Sequence, residues 1–493
     1  MSNLPESWKI VKLGDISNIT YGKGLPTKNL KSRGFPVFGA NGIIGFYDKY
    51  LYEKSQLLIS CRGANSGTIN TSPPHCFITN NSLIVDFPVE QETLRRIYYY
   101  FLQTANKERL VTGTAQPQVT INNAIEIELP LPPLNEQKRI VAKIEELFSE
   151  LDKGIESLRI AREQLKVYRQ AVLKHAFEGK LTAKWREENK DKLETAEQLL
   201  ERIKKERQSQ GHNQLRNRKN PTTKNQKPSI LSKPKEPKLF LGDDFLWLSK
   251  LPENWMWERL GWMTGGVTYG TSTKSIKSGK IPVLRMGNIQ NMKFDWTDLV
   301  YTSDIKEIDS YTLKPGDVLF NRTNSPELVG KTAIYKGERP ALYAGYLIRI
   351  NQIESIVDSQ YLNFYLNSYF AKQHANMVKT DGVNQSNING EKLVNYPFPY
   401  CSLEEQRVIV TKLEEHTLLI EQMEENVAIA VQKAEALRQS ILKKAFSGKF
   451  VTQDPNDEPA SLLLDRIRSD KELQKASRKK PLQAREKTYD LVR

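Results

Sequence analysis

Leu134–Leu181, LNEQKRIVAKIEELFSELDKGIESLRIAREQLKVYRQAVLKHAFEGKL, returns at Leu403–Phe450 as LEEQRVIVTKLEEHTLLIEQMEENVAIAVQKAEALRQSILKKAFSGKF. The two align without a gap at an offset of about 269, with Gln137 on Gln406, Glu145 on Glu414 and Phe177 on Phe446. Ile140, Ile144, Leu147, Leu151, Leu158, Leu165 and Val172 keep heptad spacing in the first copy. Ile409, Leu413, Ile420, Val427, Ala434 and Ile441 do so in the second, with His416 standing where the first copy has Leu147. A sustained heptad with charges between its apolar positions predicts a coiled-coil seam. Roughly 40 helical residues at a 1.5 Å rise make a rod of about 60 Å, far longer than an average helix and in need of a partner along its length. The natural partner is the other copy, packed antiparallel about a pseudo-two-fold. Each rod opens on a Glu-Gln pair suited to a helix N-terminus and closes on the glycine of an FxGK signature, Gly179 or Gly448, the place for a C-cap.

A second echo precedes each rod: LPESW at Leu4–Trp8 and LPENW at Leu251–Trp255. A period this long is no solenoid repeat, which runs to roughly 20–50 residues. Between each echo and its rod lie short runs rich in β-branched and aromatic residues, bounded by turn signals. They are FPVFG, QLLISCRG and NSLIVDF in the first half, and IPVLRM, DVLFNRT, TAIYKG and YLIRI in the second. One helical stretch interrupts each set, TLRRIYYYFLQTANKERL and SQYLNFYLNSYFAKQH. Asn41-Gly42 is a tight-turn signal, since both residue types tolerate positive φ. The exits are proline-rich, and YPFPYCSLEEQ reads as a residue or two longer than LPLPPLNEQ. After each rod comes AEQLLERI or ASLLLDRI. The expected class is α/β (mixed α+β), with two tandem domains and two long helices as an antiparallel coiled coil. The expected division is 1–133 and 246–402 as globular domains, 134–205 and 403–451 as helices, 206–245 as a disordered linker and 452–493 as a C-terminal segment.

The chain of 493 residues carries a net charge of +15, which points to an anionic partner. The excess is local. Arg202–Lys238 holds 12 basic and 2 acidic residues, and Arg468–Arg493 holds 9 basic and 4 acidic. Those two segments account for the whole excess, so the folded domains are close to neutral. The linker and tail either add salt-sensitive, non-specific affinity for a polyanion or keep the protein in solution. No run of eighteen apolar residues occurs and the first residues lack a signal-peptide core, so a cytoplasmic, non-membrane protein is expected. Cys61, Cys76 and Cys401 are too widely spaced for a disulfide framework or a zinc site.

Three decoys fail as catalytic motifs. Gly330-Lys331-Thr332 resembles the end of a phosphate loop, but Ser325 stands where the required glycine belongs. Asn324-Ser325-Pro326-Glu327 lacks the second proline and the aromatic of an amino-methyltransferase motif, and Asp304-Ile305-Lys306 has no nuclease-like context. No catalytic centre and no metal site are expected.

The tandem LPxxW openings, GANGIIG at Gly39–Gly45, GDVLFNRTNSPELVGKTAI at Gly316–Ile334 and the two LxEQ-helix-AFxGK blocks resemble a type I restriction–modification specificity subunit. The resemblance covers essentially the whole chain. It implies that each globular domain is a target-recognition domain on double-stranded DNA and that each long helix is a spacer. It further implies a subunit without catalysis that binds two methyltransferase subunits and, through them, two restriction/translocase subunits. No cofactor is expected on this chain, with S-adenosylmethionine, ATP and magnesium used by the partners.

Base edges are read by Arg and Lys on guanine, by Asn and Gln on adenine, and by apolar contact with the thymine methyl. In the first half the candidates are Lys23, Lys28 and Arg33, then Arg62, Asn65 and Ser66, then Gln116 and Gln118. In the second half they are Thr271, Ser272 and Lys274, then Arg285 and Asn288, then Arg322, Asn324 and Ser325, then Asn384 and Gln385. These loops differ between halves, so an asymmetric bipartite target is expected, with an unread spacer that follows rod length. The competing reading is a protein-interaction scaffold with two α/β modules, favoured by the near-neutral domains. Steep loss of affinity with salt separates the two, because only a DNA reader shows it.

Overall fold

The computed structural model describes residues 4–104, 111, 117–218, 247–383, 385–478 and 487–488, with backbone alone for 209–218, 475–478 and 487–488. Residues 206–218, expected as linker, continue the helix Ala196–Arg218, while the rest of the expected linker and the tail beyond those bounds lie outside the described residues. The chain forms two compact units, Met1–Arg159 with Ala428–Arg493, and Ile160–Val427.

In the first unit a four-stranded antiparallel sheet runs in the order Asn18–Tyr21, Ser82–Asp86, Leu57–Ser60, Ile69–Thr71. The whole of Leu57–Ser60 is buried, because both faces of the sheet are covered. On one side sits a three-stranded layer in which Phe35–Phe38 pairs antiparallel with Ile43–Tyr47 and parallel with Phe77–Ile78. Phe38, Leu58, Cys76, Ile78 and Ile84 fill the gap between the layers. On the other side the helix Gln91–Leu102 lays Leu94, Ile97, Tyr98 and Phe101 against Leu57, Ile59, Leu83 and Val85. The second unit repeats the plan: Thr264–Tyr269, Leu347–Gln352, Val318–Asn321 and Thr332–Ile334 in one sheet, with Val300–Thr302, Ile281–Leu284 and Leu342–Tyr343 in the other layer. Its helical stretch is two helices, Ser359–Leu366 and Tyr369–Val378. They break at Asn367–Ser368, where the Asn367 amide turns inward to Thr332 and Asn363.

Each domain is closed by a two-stranded ribbon that hands the chain to a long helix. Lys9–Lys12 pairs with Glu128–Leu131, and Met256–Arg259 with Pro397–Tyr400. Three residues on from Leu131 and from Tyr400 the helices Leu134–Phe177 and Leu403–Ala445 begin, so the exits correspond without an insertion. The expected extra residue in the second exit is absent because Cys401 and Ser402 replace Pro132 and Pro133 one for one. The helices pair antiparallel within each unit. In the first, Ile140, Val141, Ile144 and Phe148 share a core with Ile441, Leu442, Ala445 and Phe446. In the second, Val172, Leu173, Ala176 and Phe177 share one with Ile409 and Leu413.

The repeated signatures meet at these joints. Trp8 Nε1 donates to Glu136 at 2.9 Å and Trp255 Nε1 to Glu405 at 2.8 Å. Gln137 Nε2 donates to the Pro132 carbonyl at 2.8 Å, and Gln406 Nε2 to the carbonyls of Cys401 and Ile356 at 3.0 Å. All four Glu-Gln side chains are buried; a role as exposed dipole complement is therefore replaced by one in the joint. The FxGK glycines cap their helices at φ 71° and 74°. Each lies on the proline of an LPxxW echo: a Cβ on Gly179 would fall 2.5 Å from Pro252 Cγ, and one on Gly448 2.3 Å from Pro5 Cδ. The first repeat's glycine thus closes the second domain, and the second repeat's closes the first. The LLxRI echoes follow suit. Ala460, Leu463, Leu464 and Ile467 enter the first core, and Leu199 and Ile203 the second. One turn further on, Lys471 Nζ donates to the carbonyls of Gly14 and Ser17, and Arg207 to those of Gly261, Trp262 and Thr264. Each cation caps the C-terminus of a short helix, Leu13–Ile16 or Leu260–Met263, where helix-end charge is negative.

Candidate nucleic-acid interface

In the first unit the central strand Leu57–Ser60 runs out into the turn Cys61–Gly67, held by Ser60 N on the Thr68 carbonyl (2.9 Å) and Gly67 N on the Ser60 carbonyl (2.8 Å). Gly63, at φ 79° with open space around its Cβ position, supplies a backbone angle and no packing. Cys61 is flanked on both sides: its N–H donates to the Asn81 carbonyl at 2.9 Å, and its carbonyl accepts from Val119 N at 3.0 Å. Arg62 bridges to Gln118. Lys23 joins on the far side, its carbonyl accepting from Asn80 N at 3.2 Å. Four segments therefore bring Lys23, Asn80–Asn81, Arg62–Asn65 and Gln118 to one end of the sheet. The hairpin turn Gly39–Gly42 is tied to the same end. Ser82 Oγ donates to the Gly39 carbonyl at 2.8 Å, and Ser60 Oγ and Asn70 Nδ2 to that of Ala40. Of Asn41 and Gly42, only Gly42 has positive φ; the turn closes through Gly39 N on the Gly42 carbonyl, leaving Ala40 and Asn41 at its centre.

The second unit repeats the backbone bonds of this strand end. Asn321 takes the place of Ser60, with Asn321 N on the Lys331 carbonyl and Gly330 N on the Asn321 carbonyl, both 2.8 Å. Arg322 N donates to the Tyr346 carbonyl at 3.0 Å and its own carbonyl accepts from Ile388 N at 2.8 Å. Thr271 N donates to the Tyr343 carbonyl at 2.9 Å, as Lys23 N does to that of Ile78 at 3.0 Å. By these bonds Thr271 matches Lys23, Arg322 matches Cys61, and Thr323, paired with Asn387, matches Arg62 paired with Gln118. The two arginines are thus out of step by one residue, and in a strand one residue is the opposite face. Arg322 packs its guanidinium over the Tyr269 ring at 5.0 Å, and its Nε is buried with no acceptor among the described residues.

Several sequence candidates have structural work instead. Ser66 is buried and donates Oγ to the Pro117 carbonyl at 2.8 Å. Thr271 is buried, its Oγ1 accepting from Thr273 N at 3.0 Å. Asn288 is buried, accepting from Arg285 N and donating to the carbonyls of Asp295 and Asp298. These three are corrected from readers to braces of the loops around them. Arg285 pairs with Asp298 at 2.8 Å. Asn324 Oδ1 accepts from Ser325 N at 2.9 Å, and the Ser325 carbonyl accepts from Leu328 and Val329. Ser272, Lys274 and Gln385 are exposed. Lys28 and Arg33 are exposed on the segment that runs beside the hairpin strand Ile43–Tyr47. Gln116 and Asn384 lie outside the described residues. Sequence reasoning missed Asn80–Asn81, which sits between two apolar strand runs where a turn was legible. It also missed Tyr346, 55% exposed at the equivalent turn.

The phosphate-loop decoy is settled locally. Lys331 Nζ donates to the Ile289 carbonyl at 3.0 Å, burial pushes its pKa down, and Thr332 is buried. Among the described residues no cluster of three His, Cys, Asp or Glu side chains stands where it would hold a metal. Cys61 and Cys76 are buried, with thiols pushed up by desolvation, Cys76 to about 12. No helix of the described residues is long and apolar enough to cross a membrane.

Two domains that repeat one backbone frame and vary the side chains at its rim, joined to two long antiparallel-paired helices, define a tandem recognition protein. The family model described as type I restriction modification DNA specificity domain matches residues 5–158 and 261–430, more than half of the chain, and the chain belongs to that family. It is 25% identical to the EcoKI specificity subunit of Escherichia coli K12, over 97% of this chain and 99% of that protein. It is 28% identical to the StySPI specificity subunit of Salmonella potsdam over 41% of this chain, a match that spans 45% of that protein's length. The fold is shared with a chain in a solved structure concerned with complex assembly and conformational transition of the type I R-M system (TM-score 0.59, 20% identity, 91% of this chain and 100% of that one).

Proposed function

We propose that this chain is the non-catalytic reader of an asymmetric, bipartite DNA target, each unit reading one half. It recruits two methyltransferase subunits and, through them, two restriction/translocase subunits; those partners supply S-adenosylmethionine, ATP and magnesium chemistry. One observation carries the reading: the two sheet ends share their hydrogen-bond frame yet present different side chains. Exposed or half-buried Lys23, Arg62, Asn80–Asn81 and Gln118 in the first unit correspond to buried Thr271, buried Thr323, Gly345–Tyr346 and Asn387 in the second, where Arg322 stands one residue out of step. Scaffold kept and contact residues changed is what two different half-sites demand.

The test is co-expression with the cognate methyltransferase subunit and mapping of methylated positions. One bipartite motif with unlike halves is expected, and absence of any motif sinks the reading. Arg62→Ala should relax or lose the first half alone, at a cost of about 1–3 kcal/mol, or roughly 5–150-fold in affinity. Equal loss at both halves would mean a phosphate contact or a damaged fold. The isolated chain should be inert with methyl donor and nucleotide.

A further inference from the structure

Resting on the DNA-reading function proposed above, we propose that Ile43 and Ile44 read a thymine methyl in the first half-site. They sit at the tip of the hairpin Phe35–Phe38 / Ile43–Tyr47 and are 56% and 50% exposed. In a regular strand successive side chains point to opposite faces, so one isoleucine would turn inward. The register prevents that. Val37 pairs with Gly45 and Phe38 with Ile43, which leaves Ile44 as the extra residue of a β-bulge. A bulge breaks the alternation and re-aims a side chain, and bulges gather beside functional sites.

The tip is held rigidly. Gly39 and Ala40 carbonyls are tied to Ser82, Ser60 and Asn70, all on the strands that end at the polar cluster. Ile44 lies directly on Gly39, since a Cβ there would be 2.7 Å from Ile44 Cγ2. Exposed Lys23 and Arg62 at the same sheet end complement the charge of a phosphate backbone. Against a duplex, a rigid aliphatic pair has one apolar group to meet on a base edge, the C5-methyl of thymine in the major groove. Among the described residues the second unit shows no counterpart. There the chain after Leu284 enters the turn Met286–Asn288 and a separate small hairpin, and Arg285 pairs with Asp298. The effect therefore belongs to one half-site.

The experiment uses the full chain in complex with its methyltransferase subunit, on duplexes carrying the mapped motif with each thymine replaced in turn by deoxyuridine. Wild type should lose roughly fourfold in affinity at one thymine of the first half, the worth of one buried methyl. Ile43→Ser and Ile44→Ser should lose a similar factor on the thymine duplex and no longer distinguish thymine from uracil there. Ile43→Val should retain discrimination, and the second half should respond to neither variant. The proposal is overturned if wild type is indifferent to every uracil in the first half, or if the serine variants discriminate as wild type does. Loss of affinity in the variants without uracil sensitivity in wild type, with a DNA bend lost alongside, would assign the pair as a wedge between base steps instead. A complex that binds no motif at all overturns the function proposed above and this inference with it.

Discussion

Trp8 and Trp255 each donate an indole N–H to a carboxylate shut off from water, Glu136 and Glu405. Burial already pushes the Glu136 carboxyl up, with Trp8 and Gln453 pulling it back down. Trp8→Phe should therefore cost the first unit about 1–3 kcal/mol, the desolvation penalty of a buried acceptor left short of a donor. Urea denaturation followed in that unit reads it, and a cost near zero would show that water replaces the indole. His374 sits buried between Tyr396 and Trp247, ring centroids 4.7 and 6.2 Å away, and burial holds its pKa down at about 4. Between pH 6.5 and about 4 the unfolded chain takes up a proton that the folded unit refuses. Its contribution is whole above pH 6.5 and falls with pH through that window, by about 2 kcal/mol at pH 5. His374→Phe should flatten this part of the stability profile of the second unit; an unchanged slope would place the proton elsewhere. Both tryptophans, both glutamates and both FxGK glycines were visible as repeats. Their contacts were not, because a repeat shows that a residue recurs and is silent on what it touches. Glu136 and Glu405 read as helix-dipole charges for that reason.

At the scale of the element, the heptad positions were legible and the burial they achieve was not. Ile140, Ile144, Ile409 and Leu413 are fully buried, whereas Leu158, Leu165, Val427 and Ala434 are half-buried. Two helices alone cover only a narrow stripe of each other, and the domains supply the rest only near the helix ends. There the pairing is stapled once in each unit by equivalent arginines. Arg169 reaches Glu424 at 3.0 Å, and Arg438 pairs with Asp152 while lying 4.4 Å over the Phe148 ring. The first pair is the more enclosed, with side chains 15% and 28% exposed against 30% and 63%. Arg169→Met should thus leave Glu424 partly desolvated at a cost of about 1 kcal/mol or more. Asp152→Asn should cost no more than about 1 kcal/mol, as exposed pairs do. Thermal unfolding of the two variants checks the order, and a reversal would mean that the more exposed pair contributes more than the enclosed one. His416, in the seam where the first copy has Leu147, meets the Tyr168 hydroxyl at 3.4 Å, a contact across the helix pair that heptad spacing cannot foresee.

For the whole molecule, adjacency in the chain misleads. A domain followed by a helix reads as a domain with its own helix, yet each joint is finished by the other repeat. Gly448 rests on Pro5 and Gly179 on Pro252, while the ASLLLDRI echo fills the first core and AEQLLERI the second. Partner choice between two helices of the same pattern is decided by the antiparallel pairing, and no local signal in either copy records it. The strand runs, by contrast, were legible because burial on both faces forces β-branched and aromatic residues into them. The exchange makes a reciprocal prediction. Leu463 and Ile467 are fully buried in the first unit, and Leu199 and Ile203 in the second. Burying such side chains is worth about 1.5–3 kcal/mol each, and an unpaired carboxylate in their place adds a larger penalty. Two substitutions then take most of the roughly 5–15 kcal/mol that holds a domain together. Leu463→Asp with Ile467→Asp, near the C-terminus, should open the N-terminal domain, and hydrogen exchange should lose protection over Leu57–Ser60 and Ser82–Asp86. Leu199→Asp with Ile203→Asp should spare those strands and expose Val318–Asn321 and Leu347–Gln352. Protection lost in the opposite domain, or equally in both, would refute the exchange.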